Sequence, residues 1–432
     1  MKKNKLINGT KLLIVTALLF FNSCSNEEYD GELNSSQNLI TNGIEITEDI
    51  AKEVALNFYN ITYKSRGDLL KSKNKTLRVT STETIKDFNN QTGIYIVNIE
   101  PNGYVLVTSN SKNVPIAAHS ETGIFELNEN SPSALKMWIA ENIAFNDILE
   151  SREAIEEIDK QWYYLAEGRF PYPGDHDGEN ESPNHTVRYS HTVNEQFGPL
   201  LTTLWSQGNP YNNFTNGNPT GCVAVAMAQI MRYHEYPNTF NWSIMPNEAF
   251  WNSAGALEIA SLMHDIGLPQ NVDMDYSPSS SSASSSDARN VFVNSYGYSN
   301  TADYDSYNLS RVAQEIKMYN RPVYIRGCHT IDVDDYWLFT ITDYDDCHAW
   351  VCDGYKQQYD VYIHNEGTQY EYTQQENRYE WLHHNWGWGQ NRGNAWYYKN
   401  QLLNNDVLIE VDGNNVNPNF GYDRKCIYRI KP

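Results

Sequence analysis

The feature that most restricts the fold of this chain is the run of small and apolar residues "CVAVAMAQIM" that follows Gly221. Its alanines, Ala224, Ala226 and Ala228, leave room for other elements to pack closely, as a central buried helix requires. Cys222 would lie at the N-terminus of that helix, where unpaired backbone N–H groups and the helix dipole favour a thiolate. The same pattern also fits a small cysteine buried in a core helix, so this stretch alone does not establish a nucleophile.

Helical and alternating patterns elsewhere in the chain indicate an α+β protein. The segment "EDIAKEVALNFYNITY" has apolar residues at helical spacing, with Thr47 as its N-cap. The strand-like stretches "IYIVNIE" and "YVLVTSN" are joined by Pro-Asn-Gly at 101–103, which predicts a hairpin. Residues 131–167 have a helical pattern that begins with a Ser-Pro pair. No repeat of about 20 to 50 residues is evident, which disfavours a solenoid or a propeller.

The length and the changes of composition along the chain indicate more than one domain. A chain of 432 residues suggests two or three domains. Residues 169–196 are rich in proline, glycine, histidine and charged side chains, which predicts a domain boundary. After it, a region rich in tyrosine and tryptophan is interrupted by the serine run at 277–287, which predicts a loop.

The N-terminus has the pattern of an export signal. Several lysines precede the apolar run "LLIVTALLFF", which is about half the roughly 20 residues that a membrane-spanning helix needs. The segment "FFNSCSNEE" resembles a bacterial lipoprotein processing site, in which residues 1–23 are removed and Cys24 is lipidated. Residues 24–45 are then a flexible tether. Glu27 and Glu28 resemble the surface-export signal of some Gram-negative lipoproteins, which implies the outer membrane or the cell surface. Release after activation is a further expectation. Ordinary secretion with cleavage nearby is the alternative.

Net charge and cysteine spacing exclude several classes of partner. The formal net charge of −22 argues against nucleic-acid binding, because a phosphate backbone needs a basic surface. With Cys24 lipidated, five of the six cysteines remain, so at least one thiol is unpaired within the chain. No CxxC pair is present, which disfavours a structural zinc site, and we expect neither a metal nor a cofactor.

A second segment, "CHAWVCDGY" at 347–355, supplies the base that a nucleophilic thiol needs. His348 precedes an apolar, strand-like run, and a histidine at the start of a strand can reach the end of a neighbouring helix. The base would hold the thiol as an ion pair and return a proton to the leaving amine. His329 and the pair His383-His384 are further candidates.

Two further segments supply groups that support such chemistry. In "HHNWGWGQNRGNAWYY", Asn385 could accept a hydrogen bond from the ring of His348, while Trp386 shields that bond from water. Gln207 precedes Cys222 in the chain and could donate a side-chain N–H to an oxyanion, together with the Cys222 backbone N–H. Alternatively, the Asn-Gly segment is a turn between two strands and Gln207 is an ordinary surface residue.

The order of these segments closely resembles the streptopain family of papain-like cysteine proteases. The similar phrases are "QGNPYN", "TGCVAVAMAQIMRYHEYP", "DMDYSPSSSSASS", "HAWVCDGY" and "HHNWGWG", from about residue 195 to the closing "IYRIKP". The resemblance implies a papain-like fold, with a helical part that carries the cysteine and an antiparallel β part that carries the histidine. It implies that Cys222 is the nucleophile, His348 the general base and acid, Gln207 the oxyanion donor, and Asn385 with Trp386 the support of the histidine.

The same resemblance implies a zymogen that acts on protein or peptide substrates. Residues 46–185 resemble an inhibitory α+β propeptide domain, in which the hairpin is the most similar part, and residues 186–432 form the catalytic domain. The propeptide would inhibit the catalytic domain of its own chain, so activation would need cleavage in the linker between them.

Two departures from the family pattern change the expectations near His348. Asp346-Cys347 stands where the family commonly has glycines, and the insertion "DDYWLFTITDYDD" comes before it, so the pocket wall is expected to differ. Gln390 replaces a second glycine, which affects a turn. Cys347 could be oxidised with Cys328 or Cys222.

Two other classes of function remain open from the sequence alone. The altered residues beside His348 would suit a binding or inhibitory lipoprotein that has kept the scaffold and lost turnover. The chain also has 31 tyrosines and 11 tryptophans, which could offer stacking surfaces for glycans. The presence together of Gln207, Cys222, His348 and Asn385 argues against both alternatives.

Overall fold

The computed structural model describes most of the chain from residue 46 onwards. The described residues are 46–64, 77–86, 91–100, 103–128, parts of 131–149, 156–168, 187–336, 339–399, 409–411, 414–416 and 422–432. The predicted signal peptide, the lipidation site at Cys24, the tether and the centre of the predicted linker lie outside this set. No helix within it is long and apolar enough to cross a membrane.

The first part of the described chain is a helical layer on a four-stranded meander. Its elements are α1 (Glu48–Lys64), β1 (Arg78–Lys86), β2 (Thr92–Glu100), β3 (Tyr104–Thr108), β4 (Ile116–Ser120) and α2 (Glu156–Ala166), with further helical residues between 135 and 149. Thr47 Oγ1 accepts the Ile50 N–H at 3.4 Å, so the predicted N-cap is confirmed. Strands β2 and β3 pair antiparallel across residues 101–103, which confirms the predicted hairpin.

The second part has a helical region and a long antiparallel region. Its helices are α3 (Cys222–His234), α4 (Ala254–Ile266), α5 (Ser285–Asn294) and α6 (Leu309–Tyr319), with a short 3-10 helix at Trp242–Ile244. Its strands are β5 (Val187–Phe197), β6 (Asp303–Ser306), β7 (Val323–Tyr336), β8 (Phe339–His364), β9 (Tyr372–Asn385), β10 (Ala395–Tyr398), β11 (Ile409–Val411), β12 (Asn414–Val416) and β13 (Tyr422–Tyr428).

Helix α3 is the predicted central helix. Residues 223–231 are all buried within it, and the surrounding core draws on α4, α5 and the sheet. The predicted α+β class is therefore confirmed, with Cys222 on a helix and His348 on an antiparallel sheet.

Two predicted loops differ from what the structure shows. The serine run at 277–287 ends inside α5, which begins at Ser285 with an acidic residue, Asp287, in its first turn. Residues 187–196, the end of the predicted boundary region at 169–196, belong to strand β5, which pairs with β8 along its whole length. Strand β5 was not predicted because polar sequences can be ordered by tertiary pairing that local composition does not reveal.

Among the described residues, thirteen strands form one sheet that runs through both parts of the chain. Its main path is β1-β2-β3-β4-β10-β9-β8-β7-β12-β11, while β5 pairs with β8 and β13 pairs with β6 and β7. The two parts join where β10 pairs antiparallel with β4, with Trp396 opposite His119 and Tyr397 opposite Ala118. The first part is therefore hydrogen-bonded to the edge of the sheet that carries His348.

Candidate active site

Cys222 is the first residue of α3, and the residue before it has a backbone that favours glycine. Gly221 has φ of 87°, and a Cβ there would lie 2.6 Å from the Met274 Sδ atom. Glycine thus lets the chain turn sharply into the helix while the loop around Met274 packs against it. The Cys222 side chain remains partly accessible at this turn.

Opposing effects act on the pKa of the Cys222 thiol. Burial raises the pKa, while backbone N–H groups of Ala349, Val223 and Cys222 itself lower it, as does the charge of Arg326. Because burial has the largest effect, the pKa is raised overall. The backbone N–H groups at the helix start thus act in the direction expected from the sequence, and burial outweighs them.

His348 lies on β8 beside the cysteine. The Ala349 N–H that acts on the Cys222 thiol belongs to the residue directly after His348, so strand β8 brings the histidine to the start of α3. The His348 ring is buried, and its Nε2 lies 2.9 Å from the Trp386 carbonyl oxygen. Because a carbonyl can only accept, this contact assigns the proton to Nε2 and leaves the lone pair on Nδ1.

Asn385 does not make the hydrogen bond to His348 that the sequence led us to expect. Asn385 is the last residue of β9, opposite Val351, and its Nδ2 donates to the Thr203 carbonyl at 2.8 Å. Its Oδ1 accepts the Gly387 N–H at 3.2 Å. The amide therefore stabilises the turn after β9 and ties it to residue 203, while the Trp386 carbonyl holds the histidine.

Trp386 lies where a shield for His348 would be needed. Its side chain is buried, and the two rings are stacked with centroids 6.1 Å apart. Close approach to α3 depends on Gly387, which has φ of 71° and where a Cβ would lie 2.8 Å from Val225 Cγ1. The turn that carries Trp386 thus packs directly on the helix of Cys222.

Gln207 reaches the same place from a different segment. Its backbone carbonyl accepts the Thr220 N–H at 3.0 Å, which fixes Gln207 beside the two residues that precede Cys222. Its side chain is half-buried. The structure thereby brings the segments of all five predicted site residues together around the start of α3.

Two contacts of this site were missed in the sequence. The Thr203 hydroxyl donates to Gln229 Oε1 on α3 at 2.9 Å, and the Thr203 carbonyl accepts from Asn385. Nothing in the local sequence distinguishes Thr203. Gln229 did carry a signal, because it is a fully buried polar residue in an otherwise apolar helix, and such groups need partners.

The cysteine next to His348 is oxidised. Cys347 forms a disulfide with Cys328, directly across the β7–β8 pairing, which is one of the two pairings considered from the sequence. Cys222, Cys352 and Cys426 are free thiols. Over the described part of the chain, no group of three or more histidine, cysteine or acidic side chains could hold a metal ion.

Comparison with known families decides what this arrangement is. The sequence model of the Peptidase C10 family matches residues 205–240 and 238–397, which contain Gln207, Cys222 and His348. Over these residues the chain is similar to the Peptidase C10 family. A second model, for the Spi protease inhibitor, matches residues 44–143, which correspond to α1 and the meander before the catalytic part.

Named proteases and one solved structure are also similar to this chain. The chain is 25% identical to streptopain of Streptococcus pyogenes over 351 residues, which are 68% of this chain and 71% of that protein. It is 22% identical to the thiol protease/hemagglutinin PrtT of Porphyromonas gingivalis, over 90% of this chain and 42% of that protein. Among solved structures, prointerpain A of Prevotella intermedia aligns with a TM-score of 0.48 and 18% identity, over 82% of this chain and 100% of that chain.

The family models and the named relatives together give the activity and the general organisation. The chain is a cysteine-type endopeptidase, with a papain-like catalytic part preceded by an inhibitor-like propeptide.

Proposed function

We propose that this C10 endopeptidase is an exported zymogen that cleaves protein or peptide substrates through a thioester on Cys222. The observation that carries the assignment of the nucleophile is the contact between the Cys222 thiol and the N–H that follows His348. The other free thiols, Cys352 and Cys426, are fully buried, and burial raises the pKa of both. Cys222 is the accessible one of these three.

The first half of the proposed reaction forms the acyl-enzyme. His348 Nδ1 takes the thiol proton, and Cys222 Sγ attacks the carbonyl carbon of the scissile peptide bond. The oxygen of the tetrahedral intermediate becomes an anion that accepts from the Gln207 side-chain N–H and the Cys222 backbone N–H. When the C–N bond breaks, the imidazolium gives its proton to the leaving amine, and the acyl group remains on sulfur.

The second half hydrolyses the thioester. His348 Nδ1 takes a proton from a water molecule whose oxygen attacks the thioester carbonyl, and the same two donors stabilise the second oxyanion. The C–S bond breaks and the protonated histidine returns its proton to sulfur. The Nε2–H bond to the Trp386 carbonyl keeps the ring in one tautomer throughout, and stacking on Trp386 limits access of water to it.

The contacts of the first part of the chain support a role as an inhibitory propeptide. Tyr104 donates its hydroxyl to the Asn394 carbonyl at 2.9 Å, and Asn394 Oδ1 accepts the Trp386 N–H at 3.0 Å. Trp138 meets the Tyr397 ring edge-on, with centroids 5.4 Å apart. Through Asn394 the first part of the chain is connected to the turn at Trp386, whose carbonyl binds His348. Removal of the propeptide would release that turn.

The proposed processing follows from the same division. Residues 46–185 would be the propeptide and 186–432 the catalytic domain, with activating cleavage between 169 and 186, because β5 at 187–197 is already part of the catalytic sheet. Residues 1–23 would be the signal peptide and 24–45 a tether, with lipid on Cys24 anchoring the protein at the outer membrane or cell surface.

The experiment that tests the nucleophile is mass-spectrometric mapping of an alkylating probe on the full chain. Labelling and hydrolysis of a fluorogenic peptide library are measured before and after limited proteolysis in the linker. We expect Cys222 to be labelled selectively after cleavage, together with peptidase activity, and Cys222→Ala to abolish both. Cys426→Ala is the matched control and should keep both.

One pattern of results would contradict the proposal. If folded, reduced protein shows neither preferential labelling of Cys222 nor peptide hydrolysis after linker cleavage, the scaffold does not work as a protease through this residue. A binding role would then account better for the retained site. Labelling of a different cysteine together with activity would reassign the nucleophile.

A further inference from the structure

A fully buried carboxylate lies behind the proposed active site and takes no part in the mechanism above. Asp353 is the bulge residue of β8, because the pairing with β9 shifts between Cys352 and Gly354. A bulge turns one side chain out of the regular alternation of the strand. A buried charge is costly unless it is paired and hydrogen-bonded, so Asp353 needs an explanation.

The Asp353 carboxylate binds two donors from different segments. Its Oδ1 lies 2.6 Å from His383 Nδ1 on β9, and its Oδ2 accepts the Leu201 N–H at 2.9 Å. Its backbone carbonyl also accepts the Leu200 N–H at 2.9 Å. A Cβ on Gly198 would lie 2.3 Å from that carbonyl oxygen, so the chain packs directly on Asp353 there.

The segment held in this way leads straight to the proposed oxyanion donor. Residues 198–207 run from Asp353 past Thr203, which contacts both Asn385 and Gln229 of α3, to Gln207 beside Thr220. Only five residues separate Leu201 from Gln207, and no helix or strand lies between them. The position of Gln207 therefore depends on anchors outside its own segment.

We propose that Asp353, held by His383, is a positioning residue that fixes segment 198–207 and thereby places Gln207 for oxyanion stabilisation. The inference rests on the proposed function. A negative charge suits the task because charge-assisted hydrogen bonds are shorter and stronger than neutral ones. A single carboxylate can hold a backbone N–H with one oxygen and a histidine with the other, so it fastens the segment to β8 and β9 at once.

The kinetic test compares Asp353→Asn with a matched control in the enzyme activated by linker cleavage. An amide has only one oxygen, so it cannot accept from both the Leu201 N–H and His383. Segment 198–207 should therefore become less firmly held. We expect kcat to fall by about 10- to 100-fold, since small misplacements of catalytic groups cost up to about 10²-fold, while KM changes less than about threefold. Asp360→Asn makes the same change at another buried aspartate of β8 and should leave kcat within about twofold.

A double-mutant cycle separates positioning of Gln207 from a general structural effect. If Asp353 acts through Gln207, adding Asp353→Asn to Gln207→Ala should change kcat by less than about twofold. Multiplicative losses in the double variant would overturn the proposal. So would a Gln207→Ala enzyme of normal rate, because there would then be no oxyanion donor to position.

Hydrogen exchange tests the same inference without activity. In the full chain carrying Cys222→Ala, Asp353→Asn should speed amide exchange within 198–207 and leave α4 unchanged, and Asp360→Asn should have no such effect. Unchanged exchange in 198–207 would refute positioning by Asp353. If the enzyme proved inactive but exchange rose as expected, the proposed function would fail while the mechanical role of Asp353 would stand.

Discussion

At the scale of single residues, two effects act in opposite directions on the pKa of the Cys222 thiol. A helix N-terminus lowers the pKa of a thiol, and the backbone N–H groups around Cys222 act in that direction. Burial acts in the other direction and is larger here. At Cys222 the pKa of the thiol is therefore raised overall, although the helix start acts against the rise.

Replacing Gln207 tests the oxyanion assignment. Gln207→Ala should lower kcat by about 10² to 10³ in the activated enzyme, because one lost donor removes a preorganised hydrogen bond to the developing anion. Steady-state kinetics on a peptide substrate give the value. Gln270→Ala, an exposed glutamine after α4, is the control. A rate close to that of the parent would remove Gln207 from the site.

Replacing Gly387 tests whether the Trp386 turn must approach α3 closely. Gly387→Ala should lower both Tm and kcat, because an alanine there has unfavourable φ and its Cβ would collide with Val225. Gly389→Ala is the matched control. Its φ is 91°, but a Cβ there would lie at an ordinary 3.6 Å from its nearest neighbour, the Ser206 Cβ. Equal losses in the two variants would show that backbone strain, and not the approach to α3, explains the effect.

At the scale of elements, the β4–β10 pairing places a buried histidine between propeptide and protease. His119 on β4 is fully buried against the rings of Phe58 and Trp381. Burial lowers the pKa of His119 well below its usual value, and the nearby charges of Lys356 and His383 lower it further. The docked propeptide therefore requires a neutral histidine at this position.

Docking of the propeptide should weaken in acid. When undocked, His119 would titrate near its usual pKa of about 6.5, so below that pH the undocked state binds a proton that the docked state does not. The equilibrium constant for docking has its full value above about pH 6.5. Below that pH it falls about tenfold per pH unit, until the lowered pKa of His119 in the docked state is reached. The measurement uses Cys222→Ala protein that has been cleaved in the linker. It gives the dissociation constant of the propeptide from the catalytic part between about pH 7.5 and about pH 5.

Variants of His119 isolate its share of this pH dependence. His119→Phe and His119→Gln should reduce the slope below pH 6.5 by about one proton. His264→Gln, which changes a half-buried histidine on α4, should keep the parent slope. The same slope in parent and both His119 variants would show that other groups control the pH dependence.

Local patterns predicted some elements well and others poorly. The N-cap of α1, the β2–β3 hairpin and the small-residue helix α3 were predictable because each depends on residues close in sequence. Strand β5 was not, because its charged and polar residues become ordered by pairing with β8, more than 150 residues away in sequence. The Asn385 amide was misassigned for the same reason, since its partner at residue 203 lies far away in the chain.

At the scale of the whole molecule, one hydrophobic cluster contains side chains from both functional parts. Leu106, Phe125 and Trp138 from the first part pack in the same core as Trp350 and Trp388 of the second. The segments of the five predicted site residues, which the structure brings together, could be picked out from the sequence because their residue types and order are distinctive. This shared core could not, because apolar residues of both parts look alike in a sequence.

Because the core is shared, removal of the propeptide should destabilise the catalytic part. Calorimetry of the Cys222→Ala chain should show a Tm above that of the catalytic part purified after linker cleavage, since release exposes apolar surface of the common core. Nicked protein that is not separated serves as the control and should behave like the intact chain at high concentration. An unchanged catalytic transition after separation would show that the two parts are energetically independent.

The β4–β10 pairing also has a consequence for handling the mature enzyme. When β4 departs, β10 loses the partner that satisfies its outer backbone groups, and Trp396 loses the strand residue opposite it, His119. An uncovered strand edge is a template on which other chains can add, which makes self-association and precipitation a hazard of activation. The propeptide thus also covers the edge of β10. The peptidase is therefore best stored, concentrated and crystallised before the linker is cleaved.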